Sequence, residues 1–429
     1  MLHILKIIHG YPPKYNAGSE VYSQSICNEL SKFCRVSIFT REENSFAADF
    51  VIREDKESDN RIKYFVNIPR GKDGYRHSQL DKNFGKLLDN IRPDIAHIGH
   101  LNHLSTGIID ELNQRNIPIV FTLHDFWLMC PRGQFLQTNF GAEQFYQLCK
   151  GQEDQKCAQN CYKAYFSGKE EDFLKDLSHW GSWIHQRMEE TKSFLKKVDL
   201  FIAPSKYLME QFIYKFSMPK EKIFYLDYGF PLDHLKLPIN HKSRDLIFGY
   251  IGTHIPAKGV NFLIQAFSLL KGKSELKIWG RNNGQNTDSL KFLAGAIPLN
   301  DKRIFWKNEY ENSKIVEEVF SEIDVLVVPS IWGENSPLVI HEAQACKIPV
   351  ITANYGGMKE YVQHKVNGLL FEHRNVNDLA MQMQYALEHP EEMSMLGQRG
   401  YLFSPDEKVP DIKDHCKILM NIYQSLLRK

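Results

Sequence analysis

The sequence predicts two doubly wound α/β domains, each a parallel sheet covered by helices and together facing a cleft. Three observations carry this reading. Short apolar runs alternate with amphipathic stretches along most of the chain. The alternation breaks once, at the turn-rich "LDYGFPLDHLKLPINHKSRD", and then resumes. The chain also has 429 residues, more than one hydrophobic core usually organises. The first domain is expected over 1–235 and the second over 240–404, with a last helix over 405–429 packing back on the first.

The elements follow in order. "LHILKIIH" reads as a buried strand, and "SEVYSQSICNELSKF" places Val21, Ile26 and Leu30 at helical spacing. "RVSIFT", "PDIAHIG", "IPIVFTLH" and "VDLFIAPS" continue the first strand series. "LIFGYIG", "ELKIWG", "RIFWK", "IDVLVVPS" and "IPVITA" form the second, with helices such as "GVNFLIQAFSLL" and "LVIHEAQAC" between them. Unbroken apolar strands joined by helices imply parallel pairing. Ligands of such sheets bind beyond the carboxyl ends of the strands, so the loops that follow strands are the places to search.

Composition narrows the partners. Hydrophobic residues make up 43% and charged residues 24%, an ordinary soluble balance. A formal charge of +1 argues against nucleic acid as a partner. No apolar stretch is long enough to cross a bilayer, and "MLHILKIIHGYPP" turns polar too soon for a signal peptide. A cytoplasmic protein is expected, with the inner face of the membrane as an alternative station. Cys27, Cys34, Cys346 and Cys416 are scattered, as reduced thiols are.

One stretch carries more chemistry than the rest, "PSIWGENSPLVIHEA" after the strand ending at Val328. Pro337 fits the first turn of a helix, and Asn335 or Ser336 can cap it. Glu334 then lies in the loop and Glu342 about a turn and a half into the helix. A helix start suits an anion, and carboxylates accept hydrogen bonds from hydroxyls. Hydroxyls, phosphates and further hydroxyls together describe a nucleotide sugar. On spacing alone, two ordinary surface glutamates account for the pattern better.

The segment resembles the E-x7-E signature of the retaining GT-B glycosyltransferases of family 4. "YIGTHIPAKGVNFLIQAF" is similar to that family's G…KG loop and helix, and "IPVITANYGGMKEYV" with "VNGLLFE" to its closing motifs. "YNAGSEVYSQSICNEL" resembles its first glycine loop and "TLHDFW" its His-Asp turn. The five pieces occur in order over nearly the whole chain. The resemblance implies the GT-B fold: two Rossmann-like domains, with the donor on the second and the acceptor on the first.

It also implies roles. Glu342 binds the donor ribose and Glu334 the transferred sugar. Asn335, Ser336, Leu338 and Val339 line the sugar and diphosphate with backbone N–H groups. Lys258 neutralises the departing diphosphate, the main catalytic effect when a phosphate leaves. His124 hydrogen-bonds the transferred sugar, and Asp125 shapes the turn that holds it. Gly18 lets the backbone approach a ligand closely, while Ser19 and Glu20 read first as helix-start residues. Gly252 matches the glycine after the first strand of the second domain. Many relatives carry an arginine next; here Thr253 stands there, and Arg281, after "ELKIWG", is the candidate replacement cation. No metal motif or other cofactor is required for the chemistry.

The implied reaction is transfer of a hexose by front-face attack, the departing phosphate taking the acceptor's proton. UDP-glucose is the first expectation for the donor and a GDP-sugar the second, with base contacts near Trp306 to Tyr310. The acceptor is expected to be a glycan or lipid-linked saccharide of surface polysaccharide synthesis. A GT-B epimerase and a non-catalytic nucleotide-sugar binder are the alternatives. A nicotinamide dehydrogenase is poorly supported, since no G-x-G-x-x-G follows the first strand.

"CPRGQFLQTNFGAEQFYQLCKGQEDQKCAQNCY" crowds Cys130, Cys149, Cys157 and Cys161 into one segment after the His-Asp turn. Four thiolates can hold a structural zinc, with free thiols or an adventitious disulfide as the other readings. The following "FLKDLSHWGSWIHQRM" reads as packed core around Trp180 and Trp183, with a lid or a peripheral membrane contact as alternatives.

Overall fold

The computed structural model describes residues 1–56, 61–68, 74–139, 146–235, 245–296, 301–404 and 406–428. By contact the chain divides into two compact units, one of Met1–Gly229 with Ile412–Lys429 and one of Phe230–Asp411. Of the expected boundary region, residues 236–244 lie outside the described residues.

Unit 1 runs β1 (His3–Ile7), α1 (Gly18–Leu30), β2 (Arg35–Glu42), β3 (Ile52–Lys56), β4 (Arg61–Asn67), α2 (Ser78–Ile91), β5 (Ile95–Ile98), α3 (Ile108–Gln114), β6 (Ile119–Thr122), β7 (Leu136–Gln137), β8 (Gln147–Leu148), α4 (Asp154–Cys161), α5 (Phe173–Lys197), β9 (Leu200–Ala203), α6 (Lys206–Lys215) and β10 (Ile223–Tyr225). Unit 2 runs β11 (Leu246–Ile251), α7 (Val260–Ser268), β12 (Ser274–Trp279), α8 (Gln285–Ala296), β13 (Ile304–Trp306), α9 (Ile315–Glu318), β14 (Val325–Val328), α10 (Leu338–Ala345), β15 (Val350–Ala353), α11 (Met358–Tyr361), β16 (Gly368–Phe371), α12 (Val376–Glu388) and α13 (Pro390–Arg399). The closing helix α14 (Ile412–Leu427) belongs to unit 1.

Among the described residues, the main sheet of unit 1 has the order β10-β9-β6-β5-β1-β2-β4-β3. Its pairs are parallel except β3 with β4. Every residue of β1 is buried, including His3 and Lys6, so the strand must be covered on both faces. Helix α1 turns Tyr22, Ile26 and Leu30 inward, and α14 packs beside it. The two helices are joined by polar as well as apolar contacts: the Tyr22 hydroxyl lies 2.8 Å from His415 Nε2. The Tyr423 hydroxyl of α14 lies 2.6 Å from His97 Nδ1 on β5. In α5, Trp180 and Trp183 pack against Tyr162 at ring separations of 5.3 and 5.4 Å, forming an aromatic cluster within the unit.

The described strands of unit 2 form one parallel sheet of order β13-β12-β11-β14-β15-β16. This is the order of the doubly wound dinucleotide-binding fold, with its reversal between β11 and β14. The loops after those two strands therefore meet at the place where such sheets bind ligands. Gly259 makes the meeting possible. Its φ is +69°, and a Cβ there would stand 2.0 Å from the Pro329 carbonyl oxygen, so only glycine fits. No helix among the described residues is long and apolar enough to cross a membrane.

Candidate active site

In unit 2 the short turn Pro256–Lys258 brings Lys258 over the loop after β14. Lys258 Nζ donates to Glu334 Oε1 at 2.6 Å, and Ser330 Oγ donates to the same oxygen at 2.7 Å. Glu334 is buried, whereas the Lys258 side chain is about one-third exposed. The loop is pinned from behind by Gly357 N–H, which donates to the Glu334 carbonyl at 2.7 Å. A Cβ on Gly357 would stand 1.5 Å from the Asn335 carbonyl oxygen, so this second close approach also requires glycine.

Helix α10 begins at Leu338, and Pro337 is its N-cap rather than its first helical residue. Proline offers no capping side chain, and neither Asn335 nor Ser336, both buried, occupies the cap position. The first-turn N–H groups of Leu338 and Val339 thus start the helix beside Glu334 without an N-cap side-chain bond. Glu342 is on the same helix, just past one turn. It is buried and accepts a hydrogen bond from Asn312 Nδ2 at 3.1 Å. Burial pushes its carboxyl up, against that bond. Burial and the Glu342 charge likewise push the Tyr310 hydroxyl up, which places Tyr310 next to this carboxylate.

Gly252 and Thr253 follow β11, and the Thr253 carbonyl accepts from the Tyr250 hydroxyl at 3.3 Å. The next residue, His254, lies against Trp306 at 5.5 Å and 3.1 Å from Thr287 Oγ1. Burial lowers the pKa of His254. Arg281 follows β12 with its side chain 40% exposed and 3.4 Å from Glu309 Oε2, so its charge already has an acidic neighbour.

Unit 1 holds the remaining predicted residues. Gly18 is the exposed first residue of α1. His124, beyond β6, has Nδ1 2.6 Å from the Tyr228 hydroxyl and packs edge-on to Tyr22. Burial, with Lys6 and the neighbouring histidines His100 and His9, holds it well below the usual histidine range, so it is neutral at pH 7. Asp125 Oδ1 accepts from Trp127 N at 2.7 Å, the two-residue reach by which aspartate closes a turn. Its other oxygen lies 3.3 Å from His100 Nε2. Glu20 is buried, with Oε1 3.2 Å from His9 Nε2 and Oε2 accepting from Ser19 at 2.8 Å. Burial acts to raise its carboxyl, but the His9 and Ser19 bonds prevail and hold it at about 2.

Two family models divide the chain. The model described as Glycosyltransferase Family 4 matches residues 17–234, and that described as Glycosyl transferases group 1 matches 234–403. The first alone covers more than half of the chain. The chain belongs to the family 4 glycosyltransferases of GT-B fold. An uncharacterized glycosyltransferase of Haemophilus influenzae is 28% identical over 171 residues, 39% of this chain and 46% of that protein. The D-inositol 3-phosphate glycosyltransferase of Mycolicibacterium smegmatis is 30% identical over 146 residues, 34% of this chain and 32% of that one. The chain thus matches half or less of the length of these curated relatives. Sucrose-phosphate synthase from Thermosynechococcus elongatus superposes with a TM-score of 0.73 at 17% identity, covering 100% of both chains. Anabaena HepE in complex with UDP-glucose does so at 0.69 and 16%, covering 99% of this chain and 100% of its own.

The family's motif residues in unit 2 therefore converge on one place, the sheet reversal, where Lys258, Glu334 and the start of α10 meet. Sequence reading did not single out Ser330 or Asn312, which hold the two glutamates. Ser330 lies inside the quoted motif, but a loop serine carries no signal of its own. Asn312 is brought to Glu342 only by the fold. His9 was missed, and Glu20 was read first as a helix-start residue; their pairing across the loop after β1 becomes visible only in three dimensions.

The four clustered cysteines form no disulfide and line one small cavity in unit 1. Cys130, Cys157 and Cys161 are buried and Cys149 half-buried. Among the described residues, no group of three or more histidine, cysteine or acidic side chains is placed to hold a metal ion.

Proposed function

We propose that the protein is a retaining glycosyltransferase that moves a hexose from a nucleotide sugar, UDP-glucose first, to a glycan or lipid-linked saccharide acceptor. The observation that carries this reading is the convergence of Lys258, Glu334 and Glu342 around the start of α10 at the sheet reversal of unit 2. The arrangement suits a donor laid along the helix start. Glu342 accepts the ribose hydroxyls, and a carboxyl that burial has raised gains most from such donors. The diphosphate sits at the positive end of α10, with Leu338 and Val339 N–H groups directed at it. Lys258, held in place by Glu334, neutralises the charge that develops as the diphosphate leaves.

His124, neutral and oriented by Tyr228, hydrogen-bonds the transferred sugar by the family's pattern. The departing phosphate oxygen takes the proton of the acceptor hydroxyl as that hydroxyl attacks from the same face. Retention follows without a covalent enzyme intermediate. Structural likeness to HepE, solved in complex with UDP-glucose, supports a UDP-sugar donor.

Calorimetric titration of UDP, GDP and ADP into the wild type and Glu342→Ala tests the donor site. UDP is expected to bind tightest, with a loss of roughly tenfold or more in the variant, about 1.5–3 kcal/mol for a hydrogen bond to a charged group. If folded wild type binds no nucleotide, the proposal fails. The anomeric configuration of the product by NMR decides between retention and inversion.

A further inference from the structure

We propose that Cys130, Cys149, Cys157 and Cys161 hold one tetrahedral zinc ion that staples the loop carrying His124 and Asp125. The inference concerns unit 1 alone and does not depend on the donor.

Three separate pieces of chain deliver the four sulfurs. Cys157 and Cys161 are i and i+4 on α4, so they share one helix face. Cys130 precedes a tight turn whose Gly133 N–H donates back to the Cys130 carbonyl at 2.8 Å. Cys149 follows the small hairpin of β7 and β8, and its N–H donates to the Phe135 carbonyl at 2.7 Å. The hairpin is tied in turn to α4: Asn139 N–H and Thr138 Oγ1 both donate to the Asn160 carbonyl, at 2.7 and 2.9 Å. Turn, hairpin and helix are thus locked to each other around the point that the cysteines line.

The cavity there measures about 10 Å³. That is room for one ion or one water and too little for an organic ligand. All four thiols line it, and no other metal-ligating side chain does. The electrostatics fit as well. Zinc bound by four thiolates carries two net negative charges, and two cations stand nearby: Arg132 lines the cavity and Lys156 interacts with Cys149 and Cys157.

Closing the site requires the sulfurs to leave their present partners. Cys149 Sγ donates to the Gly151 carbonyl at 2.9 Å, and Cys161 Sγ to the Leu136 carbonyl at 4.0 Å. Both are weak thiol bonds that a zinc–sulfur bond of about 2.3 Å would replace, with loss of the thiol protons.

The consequence lies in what the turn supports. Phe126 N–H donates to the Gly133 carbonyl at 3.0 Å, so the stretch after Asp125 is bonded directly to the turn that follows Cys130. The other side is buttressed by the buried Arg187 of α5, which donates to the Trp127 carbonyl at 2.6 Å. A zinc ion on one side and Arg187 on the other would fix the turn holding His124.

The test is metal analysis of the full-length purified protein, with zinc release followed by a chromogenic chelator as a mercurial titrates the thiols. About one zinc per chain is expected, released only as the cluster thiols react. Cys149→Ser, at the least buried position, should lower the zinc content several-fold, whereas Cys346→Ser in unit 2 should leave it unchanged. Folded wild type with less than about a tenth of an equivalent of zinc overturns the proposal. So does stoichiometric iron with visible absorbance, or mass evidence of disulfides among the four. UDP titration of the same samples keeps this outcome separate from that of the donor site.

Discussion

The two units share a doubly wound plan but treat the polar groups near their sheet reversals in opposite ways. In unit 1 several buried groups pair with one another: His97 with Tyr423, Tyr22 with His415, His124 with Tyr228, His9 with Glu20. Burial lowers the histidines, and it lowers Lys6 to about 8 while that amine sits without a hydrogen-bond partner among the described residues. In unit 2 the key groups are carboxylates. One is held by Lys258 and Ser330, and the other is buried with Asn312 as its donor and its carboxyl pushed up. Such side-chain pairs give rigidity. A buried carboxylate with one amide donor has acceptor capacity left for ligand hydroxyls.

The largest expected break in this contrast is Lys258→Ala. It should lower turnover of UDP-glucose by roughly 10²–10³-fold while UDP affinity changes less than tenfold, because the charge matters most as the diphosphate leaves. Equal losses in affinity and turnover would assign Lys258 to ground-state binding instead.

The pH response comes next, and its sign differs between the units. His415 has a folded pKa of about 4 against 6.5 unfolded, so the unfolded chain binds more protons between those values. Its contribution to stability is present above pH 6.5 and is lost as pH falls through 6.5 toward 4, by roughly 2–3 kcal/mol. Glu342 acts the other way. Its raised carboxyl favours the folded state below its unfolded value, and this benefit is lost as pH rises through the folded one. Hydrogen exchange, corrected for intrinsic rates, should show unit 1 losing protection first between pH 6.5 and 4. Uniform loss across both units would remove the distinction.

Tyr228→Phe is a smaller change. It deletes the hydroxyl 2.6 Å from His124 and should cost about 1 kcal/mol of stability. Turnover should fall about fivefold to tenfold with UDP binding unaltered, as calorimetry and steady-state kinetics would reveal. Asn312→Ala should be smallest. Removing the amide that donates to Glu342 should weaken UDP binding about threefold and raise the carboxyl further, seen as a shift in the pH dependence of binding.

Much of the fold was legible because buried parallel strands read as unbroken apolar runs, and the runs from "RVSIFT" to "IPVITA" all became strands. β3 escaped notice. Arg53, Glu54 and Asp55 give it the charged character of a sheet edge, where it pairs antiparallel with β4. The motif residues Lys258, Glu334 and Glu342 were legible one by one. Their holders were not, since Asn312 reaches Glu342 only once β13 and β14 are placed in the sheet. The helix-start expectation for Pro337 missed by one position. The proline's ψ of 115° is extended, which leaves it just outside α10 rather than in its first turn.

The return of α14 to unit 1 makes the order of synthesis matter. Residues Met1–Gly229 leave the ribosome first, yet Tyr22 and His97 find their partners His415 and Tyr423 only after the whole of unit 2 has been made. At ordinary elongation rates that is a wait of roughly ten to forty seconds, during which the seam along α1 lies open. Unit 2, contiguous from Phe230 to Asp411, has no such wait. Unit 1, begun before unit 2, is therefore completed after it, since α14 can dock only once unit 2 has been translated.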